Sequence, residues 1–160
     1  MNNIEIKIAT LDDVEELGKM HYASGVMHRK SFGQPIVYTV DEMIDVTKNI
    51  MNNPKTVLFK AICNNDICGC LFLWIIESEE ARKWNNGDNR IGHISEIYVK
   101  EEYRRQGVGQ KMLSFVEDFL KQRGVCGLDL EVYKFNTKAL GLYEKQGFEE
   151  IKTYMHKEIK

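Results

Sequence analysis

The segment Tyr103-Arg104-Arg105-Gln106-Gly107-Val108-Gly109-Gln110-Lys111 decides how this chain is interpreted. It follows residues 93–99, which are typical of a β-strand. Its last four residues begin the range 108–121, which is typical of an amphipathic helix. The first N–H groups of a helix have no partner inside it, so a basic, glycine-containing turn at this place is suited to binding an anion. The two glycines also let a phosphate approach the backbone without a Cβ in the way. The alternative is an ordinary tight turn with a solvated basic rim.

The spacing of these glycines disfavours two common nucleotide-binding motifs. The segment lacks the Gly-x-x-x-x-Gly-Lys-Ser/Thr pattern of a P-loop. It also lacks the Gly-x-Gly-x-x-Gly pattern of a dinucleotide-binding fold, because the third glycine would fall on Met112. A different phosphate-containing ligand is therefore expected.

The elements on either side predict a mixed α/β fold with an antiparallel first half and a βαβ centre. Irregular chain is expected at 23–39, and a loop or short helical turn at 77–89. Asn136 is placed to cap the last helix and Gly147 to end it. The predicted order is strand 4–8, helices from Thr10 and from Val40, strands 56–63, 67–76 and 93–99, helix 108–121, strand 127–132, helix 136–145, and closing strands 148–151 and 153–159.

Two motifs relate the sequence to a known family. Residues 104–109 match Arg/Gln-x-x-Gly-x-Gly/Ala, and residues 136–148 resemble Asn-x-x-Ala-x-x-x-Tyr-x-x-x-Gly-Phe. With these motifs the sequence resembles the GNAT superfamily of N-acetyltransferases from about residue 91 to 151. The resemblance implies a mixed, mostly antiparallel central sheet with splayed central strands, flanked by about four helices. It also implies one domain over residues 1–160, with acetyl-CoA as cosubstrate and no metal.

The same resemblance assigns residues to acetyl-CoA. Backbone N–H groups of residues 106–110 would hold its pyrophosphate, and main-chain groups of Ile97 and Val99 would pair with its pantetheine arm like an added strand. Asn136 would contact the cosubstrate, cap a helix, or do both. The full set of predicted acetyl-CoA contacts is Ile97, Tyr98, Val99, Arg104, Arg105, Gln106, Gly107, Val108, Gly109, Gln110, Lys111, Asn136 and Tyr143.

Two residues are assigned catalytic roles by the resemblance. An amine with a pKa near 10.4 is neutral in only about one molecule in 2,500 at pH 7, so a base is needed. Glu96 is the first candidate and His93 the second, while the other interpretation of Glu96 is a structural carboxylate. Tyr143 is the candidate proton donor to the departing thiolate, and the other interpretation of Tyr143 is core packing. No cysteine is convincingly placed for an acyl-enzyme, so direct transfer to the amine is expected.

The acceptor is expected to be a primary amine of a small molecule or peptide. The alternatives are a catalytically silent acyl-CoA-binding sensor of the same fold and a binder of a different phosphate ligand. Tyr22, His28, Phe32 and Tyr38 are candidate pocket residues, although packing explains each of them equally well. Glu77, Glu79 and Glu80 are candidate attractants for a cation, or simply a solvated charge run.

Composition limits the partners and the compartment. The 160 residues carry 22 Lys and Arg against 24 Asp and Glu, a net charge of −2, which offers no support for nucleic-acid binding. The start at Met1 lacks the features of a signal peptide and no apolar run is of membrane-spanning length, so a cytoplasmic protein is expected. The expected oligomeric state is a monomer or a homodimer. Cys63, Cys68 and Cys70 are interpreted as small buried side chains rather than as a zinc site.

Overall fold

The computed structural model describes residues 3–83 and 85–159. The first two residues, which entered the prediction of no signal peptide, lie outside this range, as do Trp84 in the predicted loop 77–89 and Lys160. Within the described ranges, five strands form one sheet in the order β1-β2-β3-β4-β5. They are β1 (Ile4–Ile8), β2 (Thr56–Cys63), β3 (Asp66–Glu77), β4 (Arg90–Val99) and β5 (Gly127–Leu130).

Four α-helices among the described residues flank the sheet, as predicted: α1 (Val14–Ser31), α2 (Val40–Met51), α3 (Val108–Lys121) and α4 (Thr137–Lys145). Neighbouring strands from β1 to β4 are antiparallel, and α3 connects β4 to a parallel β5. The predicted mixed, mostly antiparallel sheet with a βαβ centre is therefore confirmed.

The parallel pair of strands is short. β4 contacts β5 only from Ile91 to Ile94, opposite Gly127 to Leu130, although β4 continues to Val99. The remaining residues 95–99 of β4 therefore border a gap in the sheet on the β5 side. This is the predicted splaying of the central strands.

Both faces of the sheet are buried, which explains the long apolar run of β3. One face packs against α3, where Phe59, Leu71 and Leu73 contact Met112 and Val116. The other face packs against α1, where Leu58, Cys70 and Phe72 contact Leu17 and Met20. Because side chains of a strand alternate between faces, each side chain of β4 faces either the α3 side or the α1 side of the sheet.

The first helix is longer than the sequence analysis predicted. Residues 23–31, expected to be irregular, continue α1 to Ser31. Gly25 does not break the helix but leaves space for the ring of Tyr38, whose hydroxyl oxygen lies 2.3 Å from where a Cβ at Gly25 would be. The chain turns only at Gly33, which has a φ of 65°.

The predicted closing strands at 148–151 and 153–159 are not formed. The structure assigns neither helix nor strand to residues 148–159, and Tyr154, Met155 and Ile159 are at least 86% exposed. The alternation of apolar and charged residues there indicates only a local preference, whereas a strand also needs a neighbouring strand with which to bond. That preference was the whole basis of the prediction.

Two glycines in helices are expected to respond oppositely to substitution by alanine. A Cβ at Gly141, within α4, would find nothing within 4 Å, so Gly141→Ala is expected to raise the free energy of unfolding by about 1 kcal/mol. A Cβ at Gly18 would lie 2.6 Å from the Cα of Ile44, so Gly18→Ala is expected to lower it by about 1–3 kcal/mol. Urea unfolding measures both values. A stabilising Gly18→Ala would contradict the close packing of α1 on α2.

Candidate active site

The basic turn before α3 has an unusual backbone. Arg105 and Gly107 both have positive φ angles, 61° and 84°. Gly107 precedes α3 without any side-chain cap for the helix N-terminus, and residues 104–107 are exposed. The left-handed conformation of a non-glycine residue such as Arg105 is costly and is typical of functional turns. The first N–H groups of α3 are thus directed to solvent, where an anion can accept from them.

Two basic side chains of this turn, Arg104 and Lys111, have partners within the protein. Arg104 donates from Nε to the carbonyl oxygen of Val99 at 2.9 Å, and its guanidinium lies over the ring of Tyr98. The Lys111 ammonium bonds the carbonyl oxygen of Ile4 on β1. Both side chains hold the turn against the sheet, which leaves the exposed Arg105 and the backbone N–H groups to face an anion.

The other residues predicted for the turn have structural roles as well. A Cβ at Gly109 would lie 3.2 Å from Leu142, so this glycine lets α4 approach α3. Val108 is buried in the core, while Gln110 is exposed. The side-chain amide of Gln106 donates to the carbonyl oxygen of Glu102 at 2.8 Å. Asn136 caps α4 through its side-chain oxygen, which accepts from the N–H of Ala139, so its amide nitrogen can still donate to a ligand.

The free edge of β4 has main-chain groups directed into the gap between β4 and β5. The N–H of Lys100 donates to the carbonyl oxygen of Cys68 on β3, so the main-chain groups of Tyr98 also face β3. Those of Ile97 and Val99 therefore face away from β3, towards the gap. This orientation suits Ile97 and Val99, but not Tyr98, to main-chain pairing with an extended ligand.

Glu96 lies on β4 beside this gap, on the face covered by α1. Its Oε1 accepts a hydrogen bond of 2.7 Å from the hydroxyl of Ser24 in α1. Burial raises the pKa of Glu96 to about 7, although the Ser24 hydroxyl and the backbone of Ile97 act in the opposite direction. A carboxyl with this pKa can gain and lose a proton near neutral pH.

Tyr143 lies on α4, in the core on the other side of the sheet from Glu96. Its side chain is 8% exposed, and its ring packs edge-on against Phe148 with 5.7 Å between centroids. Burial raises the pKa of Tyr143 to about 12, and the negative charge of Glu96 contributes to the increase. The two predicted catalytic residues are therefore within electrostatic reach of each other.

His93 lies on the α1 face of β4 and is paired with a neighbouring strand. Its Nδ1 is 2.6 Å from the Oδ1 of Asp129 on β5, and this contact raises the pKa of His93. Sequence reasoning named His93 but missed Asp129. The signal was present, because alternation along residues 127–132 directs Asp129 and Glu131 away from the leucines that face α3.

An aromatic cluster lies beside the gap at the end of α1. A cavity of about 270 Å³ there is lined by His28, Arg29, Phe32, Gln34 and Tyr133. His28 and Phe32 were predicted to line a pocket, but Tyr133, which contacts both, was not.

The other predicted pocket residues have different neighbours. Tyr22 and Tyr38 pack on each other instead. Of the predicted acidic run, Glu79 pairs with Arg82, and Glu80 pairs with Lys152.

Three of the four cysteines behave as apolar core side chains, and the fourth, Cys126, is exposed. Cys63, Cys68 and Cys70 are buried, and burial raises the pKa of Cys68 to about 12. Within residues 3–83 and 85–159, the structure holds no cluster of three potential metal-ligating side chains. Over the same residues it has no helix with the length and apolar character needed to cross a membrane.

Comparison with known families agrees with the geometry. A model of the acetyltransferase (GNAT) family matches residues 26–148. The chain belongs to this family. Membership places it among the acetyl-transferring enzymes.

Individual members of the GNAT family are similar to this chain over part of its length. The uncharacterized N-acetyltransferase YhfO of Bacillus subtilis is 29% identical over 106 residues, which are 66% of this chain and 67% of YhfO. The [ribosomal protein bS18]-alanine N-acetyltransferase of Escherichia coli K12 is 46% identical over 54 residues, 34% of this chain and 36% of that protein. Aligned stretches span 23 to 67% of the length of such curated relatives.

The fold recurs in solved structures of the family. A predicted acetyltransferase from Clostridium acetobutylicum, solved with acetyl-CoA, superposes with a TM-score of 0.73 at 20% identity, covering 98% of this chain and 96% of that one. At this identity the likeness concerns the fold alone.

The raised pKa of Glu96 predicts a pH-dependent stability. A carboxyl whose pKa is higher in the folded state stabilises it at low pH, and this contribution is lost as pH rises through about 7. Glu96→Gln removes the buried charge and keeps an oxygen for Ser24. Relative to the wild type, the variant is expected to gain up to about 3 kcal/mol in free energy of unfolding between pH 5 and pH 8.

Urea unfolding at the two pH values measures this gain. Glu158→Gln in the exposed C-terminal segment is the control and is expected to show no such gain. A pH-independent difference between Glu96→Gln and the wild type would show that Glu96 does not titrate in this range.

Proposed function

We propose that the protein transfers the acetyl group of acetyl-CoA directly to a primary amine of a small molecule or peptide. The proposal is supported mainly by Glu96 on one face of the sheet and Tyr143 on the other, each with a raised pKa and close enough that the charge of Glu96 acts on Tyr143. The uncapped N-terminus of α3 and the free edge of β4 border the same region. We further propose that residues 1–160 form one domain for this activity, located in the cytoplasm.

The residues around the gap fit acetyl-CoA. Gly107 has an exposed left-handed conformation with nothing near its missing Cβ, so a pyrophosphate can approach the backbone of residues 106–110. Main-chain groups of Ile97 and Val99 are directed to where a pantetheine arm would pair. Acetyl-CoA, when bound, supplies an acetyl group activated as a thioester.

Glu96 is proposed as the base that accepts the proton of the amine. A carboxyl with a pKa of about 7 is a stronger base than an exposed glutamate and is still largely ionised just above neutrality. The Ser24 hydroxyl and the backbone N–H of Ile97 both donate to the carboxylate and hold it in place, while its remaining lone pairs can accept a proton.

Tyr143 is proposed to assist the departing sulfur. A phenol with a pKa of about 12 stays protonated, so it is always able to donate a hydrogen bond. Full proton transfer from it to a thiolate whose acid has a pKa of about 8.5 would be uphill by roughly 5 kcal/mol. Tyr143 therefore acts mainly by donating a hydrogen bond to negative charge on sulfur.

The acceptor is proposed to bind between α1 and the segment after β5. The aromatic cavity at His28, Phe32 and Tyr133 opens there, on the same sheet face as Glu96. The names of two relatives specify a protein alanine and thialysine as acceptors, so the panel of amines to test includes peptides and small diamines.

Activity is expected to depend on both residues in different ways. Wild-type kcat/KM should rise with pH through about 7, because Glu96 must be ionised. Glu96→Gln is expected to lower kcat about 100-fold and to abolish this rise.

Tyr143→Phe keeps the ring packing and is expected to lower kcat about 100-fold without moving the titration near pH 7. Thiol release from acetyl-CoA over the amine panel measures both variants. CoA binding without turnover of any amine by the wild type would instead support a silent acyl-CoA sensor.

The turn before α3 can be tested separately from chemistry. Gly107→Ala places a Cβ on a residue with a φ of 84°, and the local distortion is expected to weaken CoA binding about tenfold. Gly87→Ala is the matched control, because Gly87 has a φ of 83°, lies in the β3–β4 loop and likewise has nothing within 4 Å of its missing Cβ.

Isothermal titration with CoA gives the dissociation constants. Urea unfolding verifies that the two substitutions lower the free energy of unfolding by similar amounts. Equal weakening of CoA binding in the two variants would argue against binding at this turn.

A further inference from the structure

A β-bulge in β4 directs Glu96 to the sheet face that α1 covers. Glu96 lies opposite Phe72 and Ile94 opposite Leu73, so Ser95 is an extra residue of β4. Phe72 packs in the cluster under α1, and residues directly opposite each other on paired strands point to the same face. The Glu96 carboxyl and the side of α1 above it therefore belong to one layer of the protein.

The aromatic cavity begins one turn of α1 beyond this carboxyl. The hydroxyl of Ser24 bonds Glu96 at 2.7 Å, and His28 follows Ser24 by four residues in the same helix. Such residues share one side of a helix and lie about 6 Å apart along its axis. His28 lines the cavity together with Phe32 at the helix end. An acceptor whose amine is at Glu96 therefore reaches the cavity with a group about one helical turn from its nitrogen.

Three aromatic rings in mutual contact stand at this cavity. The ring of Phe32 meets those of Tyr133 and Phe135 nearly at right angles, with 4.8 and 5.3 Å between centroids. Tyr133 and Phe135 stack on each other at 5.3 Å. All three are 47 to 53% exposed, and a contiguous exposed apolar patch is typical of a binding surface. The cavity of about 270 Å³ is small for a ligand pocket, so it suits a single ring better than a long chain.

Arg29 adds a positive charge to the cavity wall. Its Nη1 donates to the carbonyl oxygen of Pro35 at 3.1 Å, and its guanidinium lies over the ring of Tyr38. Within residues 3–83 and 85–159, no carboxylate forms an ion pair with it. A guanidinium has five N–H groups, so those of Arg29 that do not bond Pro35 can bind a planar anion such as a carboxylate.

The surroundings disfavour a second ammonium group in the cavity. Residues 28–34 and 132–138, which supply the rings, contain no Asp or Glu. Glu131 precedes the second segment, but its charge acts on His93. Aromatic rings alone attract cations, whereas the charge of Arg29 repels an ammonium as strongly as it attracts a carboxylate at the same distance.

We propose that the acceptor is a primary amine that carries an aromatic ring with a carboxylate. The ring packs on Phe32 and Tyr133, the carboxylate pairs with Arg29, and the amine lies at Glu96. This assignment rests on the proposed transferase function, whose acceptor it narrows to one chemical class.

Three benzylamines that differ only in their para group test the charge preference. The probes are 4-(aminomethyl)benzoate, 4-methylbenzylamine and 4-(aminomethyl)benzylamine, whose para groups are anionic, neutral and cationic. In the first, roughly the length of one helical turn separates the nitrogen from the carboxylate. Wild-type kcat/KM is expected to be about tenfold higher for the carboxylate than for the neutral amine, and lowest for the diamine, with the difference mainly in KM. Thiol release from acetyl-CoA measures these constants.

Substitutions on α1 separate the charge from the ring. Arg29→Gln is expected to raise KM for 4-(aminomethyl)benzoate about tenfold and to leave the constants of 4-methylbenzylamine unchanged. Phe32→Leu is expected to raise KM for all three amines by a similar factor. Lys30→Gln is the matched control, because it removes the same charge from an exposed neighbour that does not line the cavity. All three amines are expected to keep their wild-type constants in this control.

A binding measurement without turnover provides a second test. Isothermal titration of the protein saturated with CoA is expected to give a dissociation constant about tenfold lower for 4-(aminomethyl)benzoate than for 4-methylbenzylamine. Arg29→Gln is expected to abolish this difference. Its unchanged affinity for the neutral amine would show that the cavity is still folded.

The outcomes distinguish this assignment from the proposed function. Equal kcat/KM for the three amines in an active wild type, or a preference for the diamine, would overturn the assigned class alone. An equal rise of KM for all three amines in Arg29→Gln would also overturn it, because Arg29 would then act only on the structure. A wild type that binds the carboxylate selectively but acetylates no amine would overturn the transferase function and support the ligand class of the cavity. A wild type with neither selective binding nor transfer would overturn both.

Discussion

The structure depends on the early separation of β4 from β5. The two strands pair over four residues on each side, from Ile91 to Ile94 and from Gly127 to Leu130, and then diverge. Unpaired main-chain groups inside a sheet are costly unless a ligand or water accepts them. The divergence leaves the main-chain groups of Ile97 and Val99 facing the gap, where Arg104 bonds the Val99 carbonyl oxygen and the Ile97 backbone bonds Glu96. The proposed pantetheine site depends on this divergence.

The bulge at Ser95 adds a second consequence of irregular pairing. The bulge lies directly after Ile94, the last residue of β4 that pairs with β5. The alternation of side chains between the two sheet faces therefore shifts by one residue where β4 leaves β5. Without the extra residue, Glu96 and His93 would belong to different helix layers. One local irregularity thus places Glu96, under α1, on the same face of the sheet as the half-buried pair of His93 and Asp129.

Much of this architecture follows from local sequence, because it depends on periodicity and on helix ends. The amphipathic pattern of residues 108–121, the cap at Asn136 and the left-handed Gly147 each predict an element that the structure contains. The Arg-x-x-Gly-x-Gly turn was recognisable for the same reason: its role depends on consecutive residues.

The errors arose where the outcome depends on distant residues. Whether Gly25 ends α1 is decided by Tyr38, which packs over it, and whether residues 148–159 form strands is decided by the presence of a neighbouring strand. The pairing of His93 with Asp129 could not be read from alternation alone. It requires both the parallel register of β4 on β5 and the knowledge that β5 is its neighbour.

Burial raises the pKa of both proposed catalytic residues, but the chemical consequences are opposite. Removing a carboxyl from water raises its pKa and makes it a better base, whereas removing a phenol from water raises its pKa and makes it a weaker acid. At about 7 and about 12, Glu96 can exchange protons at neutral pH and Tyr143 cannot. In the proposed mechanism, proton transfer is therefore concentrated on the α1 face, where Glu96 lies. The α4 side would contribute a hydrogen-bond donor, and no proton on Tyr143 would have to be replaced between turnovers.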